Sequence, residues 1–120
     1  MNPVTWAALG AACSAGAVAR HLVAGWIEER AGGRLAWGTW SVNLTGSLAL
    51  GLLVGSGVGG VTLLVAGTGF CGTYTTFSTL TCQTVALSQE GNRPAAWLNA
   101  VGQVLAGLTA AGLGLWWGGL

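Results

Sequence analysis

Charge is what this sequence has least of. Four Arg, three acidic residues, one His and no Lys leave charged side chains at 6% of 120 residues, against roughly 25% in an ordinary soluble domain. That excludes a solvated surface of the usual kind. Without lysine or an arginine cluster there is no basic patch for nucleic acid. Cys13, Cys71 and Cys82 form no CxxC pair, and Cys71 and Cys82 stand three helical turns apart, too far to bridge. They read as small apolar residues with no metal or redox role. No nucleophile has a base nearby and no metal cluster is present, so enzyme chemistry finds no footing. The opening MNPVTW lacks the basic region of a secretory signal, so the first apolar segment is expected to stay in the mature protein.

What fills the chain instead is apolar sequence, 52% of it. Four segments, near Val4–Ile27, Ala36–Ser56, Val61–Ser88 and Ala95–Trp117, are each long enough to cross a hydrocarbon core of roughly 30 Å. The connections EERAGGR, GVGG and QEGNRP are too short for a second domain, so residues 1–120 are expected to form one all-α membrane domain of four transmembrane helices. Tryptophan marks the boundaries, because its amphipathic ring favours the headgroup level. Trp6 and Trp26 bracket the first segment, Trp37 and Trp40 open the second, and Trp97, Trp116 and Trp117 bracket the fourth. Small residues at four-residue spacing, Gly102, Ala106, Ala110, Gly114 and Gly118 in one row and Ser47, Gly51 and Gly55 in another, allow helices to pack closely in lipid. Arg30, Arg34 and Arg93 fall on the two charged connections, and the opposite side has no Lys or Arg. By the positive-inside rule these connections are cytoplasmic and both termini external.

Polar groups at membrane depth usually face a cavity, a partner or a pathway. Arg20, beside His21, either snorkels to the interface or serves as a cation anchoring helix ends or a vestibule. Asn43 offers two amide donors and an acceptor, for a helix-to-helix hydrogen bond or for a pore. Gln83, Asn99 and Gln103 also suggest a polar interior. The third segment, about 28 residues and roughly 42 Å if fully helical, exceeds the hydrocarbon thickness. Its middle holds Gly67, Gly69 and Gly72 and then a Thr-Tyr-Thr-Thr run, so a break near the middle is expected. Unwound backbone there bares carbonyls that can coordinate a small cation. The hydroxyls of Thr73, Thr75, Thr76, Ser78, Thr79, Thr81 and Thr84 either bond back to their own helix or form a donor-rich lining suited to an anion.

The stretch GFCGTYTTFSTL, residues 69–80, resembles the hallmark of the Fluc/CrcB family of fluoride channels, GFCGGxTTFSTF. GAVARH, residues 16–21, resembles that family's GxxxRY, and GTWSVNLTGSLALG, residues 38–51, its GTLxVNxxGSFxxG. The resemblance covers the whole chain. It implies passive fluoride export across the inner membrane through an antiparallel dimer with two pores. It also implies a structural, untransported Na+ at the dimer centre, held by backbone carbonyls of Gly72 and Thr75. Asn43 corresponds to the pore-lining amide, Phe77 to the first of two paired rings, Ser78 and Thr79 to the polar track, and Arg20 to the family's arginine. Fluoride holds water tightly, so such a pore must replace the shell with donors, assisted by the positive edge of a phenyl ring.

Three positions depart from the pattern. Leu80 stands where the second ring belongs, Gln83 where many members carry a carboxylate, and Thr73 where the motif has glycine. Leu80 has no quadrupole edge to offer. Together with the one-sided arginines this suggests a subunit that pairs with a paralogue of opposite charge bias, the alternative being a homodimer. A small multidrug-type exporter is disfavoured because Glu28 and Glu29 lie at a segment end and no acid lies inside one. A membrane scaffold would share the packing rows but would have no use for Asn43 or the hydroxylated break.

Overall fold

A computed structural model describes residues 1–32 and 36–120. Arg34, counted above on the cytoplasmic side, lies outside the described residues. Those that are described form helices and no strand.

Helix α1 (Pro3–Ala31) begins where Asn2 accepts the Thr5 N–H at 2.8 Å and Pro3 supplies a pre-set first position. It ends at Gly32, whose φ of 54° lets its N–H turn back to the Glu28 carbonyl. Helix α2 (Trp37–Gly55) follows and stops at Ser56. Helix α3 covers residues 60–74 and is wound as a π-helix over Leu63–Cys71. Helix α4 (Ser78–Gln89) resumes after a three-residue interruption. Helix α5 runs over Arg93–Gly118, capped by Asn92 through the Ala95 N–H and π-wound at Leu98–Gly102.

The glycines of the third segment therefore do not unwind it. Gly67 and Gly69 lie within the π-helical stretch, and the interruption falls one turn later, at Thr75–Phe77, where Thr75 turns to extended backbone (ψ 159°). Among the described residues, only α1 and α5 are long and apolar enough to cross a membrane by length and composition. The reason is chemical: α2 carries Thr39, Ser41, Asn43, Thr45 and Ser47, and the third segment is divided and rich in hydroxyls.

The most extensive packing joins α2 to α5, while α1 lies along α3 and α4 rests on the first turns of α5. Between α2 and α5 the backbones touch. A Cβ on Gly51 would strike the Ala111 carbonyl, and one on Gly114 would strike the Leu48 carbonyl. Gly55 and Gly118 repeat the pattern one turn on, against Leu115 and Leu52. Glycine is required at these contacts because anything larger would push the helices apart. Large apolar side chains remain exposed on every helix, among them Trp6, Leu50, Val61, Val85 and Leu108. An apolar surface of that extent calls for a covering medium or partner.

Candidate functional site at the helix break

The break is built from backbone groups that helix geometry leaves open. A helix ends with four carbonyls lacking internal partners, and these must be satisfied from elsewhere. The Thr76 N–H, which would have closed on the Gly72 carbonyl, donates instead to Asn43 Oδ1 at 2.8 Å. The Thr79 N–H, which would have closed on the Thr75 carbonyl, goes to Thr76 Oγ1 at 3.2 Å. Gly72 and Thr75 are thereby released from the helical ladder. The neighbouring Thr73 carbonyl is taken by Arg20, whose Nη1 donates to it at 3.0 Å. A cation at a helix C-terminus is favoured by the helix dipole, so Arg20 turns inward rather than snorkelling to the interface.

Asn43 staples the break to α2. Besides accepting from Thr76 N–H, its Nδ2 donates to the Thr76 carbonyl at 3.1 Å, so one amide satisfies both backbone groups of an extended residue. The other Nδ2 hydrogen goes to Gln103 Oε1 at 3.0 Å. From there the relay continues through α5. Gln103 Nε2 donates to Asn99 Oδ1 at 2.9 Å, and Asn99 Nδ2 donates to Thr84 Oγ1 at 3.0 Å. Trp40 Nε1 donates into the same Asn99 oxygen at 3.1 Å. Asn99 and Gln103 are 0% and 3% exposed, and burying amides so deeply is tolerable only with such partners.

Trp40 is thus a correction to the reading of all the tryptophans as headgroup anchors. The other six are exposed, with Trp26 beneath the Arg30 guanidinium at 3.9 Å, whereas the Trp40 indole turns inward to the relay. Its spacing of three from Asn43, with Asn99 and Gln103 four apart, is the sequence signal that places all four on facing helix stripes.

The hydroxyls divide into two sets. Thr73, Thr75, Thr81 and Thr84 donate to the carbonyls of Gly69, Cys71, Phe77 and Leu80 one turn back, and Thr73 also reaches the Cys13 carbonyl. For these the back-bonding reading holds. Thr79 instead accepts from Thr76 Oγ1 at 3.1 Å, which leaves its own hydrogen free, and the Ser78 hydroxyl has no partner among the described residues. Both are exposed. Phe77 is 75% exposed and Leu80 only 6%. The two border an apolar groove of about 390 Å³ along the α4–α5 face. Gln83 is half-buried, and its Oε1 is enclosed with no partner. Gly72 and Thr75 open onto a separate hollow of about 190 Å³, walled by Gly46, Ser47, Leu50 and Gly67.

Fold and site together define an all-helical protein whose polar groups converge on one interrupted helix, stapled by an amide and flanked by a half-buried arginine. The chain belongs to the CrcB-like protein family, Camphor Resistance (CrcB), whose family model matches residues 5–115. Among its relatives is the Fluoride-specific ion channel FluC 1 of Symbiobacterium thermophilum, 46% identical over 96% of this chain and 99% of that protein. FluC 1 of Leifsonia xyli subsp. xyli is 43% identical over all of this chain and 90% of its own. FluC 2 of Haloarcula marismortui is 44% identical over 92% of this chain and 88% of its own.

Proposed function

We propose that this chain is a subunit of a fluoride-specific ion channel, an integral membrane protein that lets fluoride leave the cytoplasm. The observation that carries the reading is the Asn43-stapled break, because it supplies donors without any fixed negative charge in a family whose similar members bear the name of fluoride channels. Fluoride would meet Asn43, the free hydroxyls of Ser78 and Thr79 and the exposed Phe77 ring, whose positive edge attracts an anion. The amino-terminal end of α4, with its aligned N–H groups, adds a favourable field at the same place. A passage of fixed, short-reach donors disfavours the larger chloride.

Gly72 and Thr75 line a hollow and their carbonyls are released from the ladder, an arrangement that suits a small hard cation. They would hold Na+, which when bound supplies fixed positive charge that ties the two half-helices together. The family resemblance implies a second subunit closing the site, laid antiparallel to the first. The names FluC 1 and FluC 2 among the relatives, with the one-sided arginines, favour a paralogue as that partner. The connections holding Arg30, Arg34 and Arg93 would then be cytoplasmic in this subunit.

The test is fluoride efflux from sodium-loaded liposomes, with chloride as control, for the protein alone and co-expressed with a paralogue. Selective efflux from either preparation supports the channel, and efflux only from the mixture supports the heterodimer. Silence in both rules the reading out. Asn43→Leu should abolish efflux, and its loss of both Thr76 bonds should also lower the melting temperature.

A further inference from the structure

In the relay every amide orientation is fixed by groups that can only donate. The Thr76 N–H forces Asn43 to present its oxygen there, and the Trp40 indole N–H forces Asn99 to present its own. Gln103 sits between them and has one compatible orientation, with Oε1 toward Asn43 and Nε2 toward Asn99. The reverse would set amine against amine and oxygen against oxygen.

Both Nδ2 hydrogens of Asn43 are therefore engaged, one by the Thr76 carbonyl and one by Gln103. An anion reaching Asn43 must displace one of these acceptors. Thr76 is held by two reciprocal bonds at 2.8 and 3.1 Å, Gln103 by a single one at 3.0 Å. The single bond is the easier to exchange, since each net hydrogen bond carries comparable stability. Gln103 keeps its bond to Asn99 throughout and so remains anchored when its oxygen is displaced.

We infer that Gln103 is a specificity-determining residue: its carboxamide oxygen stands in for fluoride at Asn43, and the ion enters by replacing it. This rests on the reading of Asn43 as a fluoride-facing amide. Displacing a neutral oxygen there favours the anion that gains most from each donor at short reach, which is compact fluoride over the larger, more diffuse chloride.

The experiment follows the Asn43 side-chain NH2 signals by NMR in detergent-purified protein, identified by their loss in Asn43→Leu, as sodium fluoride is added against a sodium chloride control. In the unsubstituted protein the signals should shift saturably with fluoride alone. Gln103→Met keeps the volume but removes the acceptor, and should lower the fluoride midpoint about fivefold, the worth of one net hydrogen bond. Gln103→Asn, too short to reach Asn43, should move it the same way and serves if the Met variant does not fold. Gln103→Glu places a competing charge there and should raise the midpoint at least about fivefold. Equal midpoints in the unsubstituted and Gln103→Met or Gln103→Asn proteins overturn the inference and leave the fluoride reading standing. A signal that never responds to fluoride in any protein overturns both.

Discussion

Leu80 and Phe77 lie one turn apart and meet opposite surroundings. Leu80 is packed away at 6% exposure while Phe77 stands out at 75%, and both border the same apolar groove. That groove gives a larger side chain at position 80 somewhere to go. Leu80→Phe should thus cost no more than about 1–2 kcal/mol and should raise fluoride efflux by restoring the missing ring, both checked on one purified variant by thermal melting and liposome flux. Gln83 presents the reverse case, an enclosed oxygen with no donor. Gln83→Met should raise stability by about 1 kcal/mol, because leaving such an acceptor unpaired costs that much or more; a loss of stability would mean that a partner subunit donates to it. Asn43, Gln103 and Asn99 were legible as polar residues out of place. That they form one relay was not, because the link depends on which stripes of α2 and α5 face each other. The Thr hydroxyls misled in part, since their type is visible in sequence but their choice between a helix carbonyl and an open site depends on the fold.

Helices α2 and α5 are held at backbone contact, and the glycines there differ sharply from those elsewhere. Gly51→Val should drive the Ala111 carbonyl away and cost about 3 kcal/mol or more. Gly112, with nothing within 4 Å of a built Cβ, should accept Ala with a gain of up to about 1 kcal/mol from helix propensity. Thermal melting of the two variants in one detergent gives the comparison directly. The spacing of small residues announced such a contact, and the apolar segments announced the helices. The interruption was legible as a break near the middle of the third segment, where glycines lead into the Thr-Tyr-Thr-Thr run, but not to the residue. The glycines stay helical, since a glycine weakens a helix only modestly, and the backbone leaves it at Thr75–Phe77, where Asn43 supplies both bonds an extended residue needs.

For the molecule as a whole, the exposed apolar surface and the sided arginines bear on how it sits in a bilayer. If the arginines set one orientation, cysteine reporters near Met1 and Leu120 should both label from outside intact cells. Adding three lysines after Leu120 should move a measurable fraction to the opposite orientation. Equal labelling from both faces in the unaltered chain would count against a fixed orientation and favour self-pairing. Helix α4 has the least support within the chain, resting mainly on the first turns of α5, and a companion subunit is its natural remaining contact.

The staple also orders events during synthesis. Asn43 emerges from the ribosome before Thr76, so when the opened backbone of residues 75–77 first meets hydrocarbon, where unpartnered peptide groups cost several kcal/mol each, its two hydrogen-bonding partners have already been inserted. Gln103 emerges later still, so the residue that competes for the Asn43 amide is the last of the three to reach the membrane.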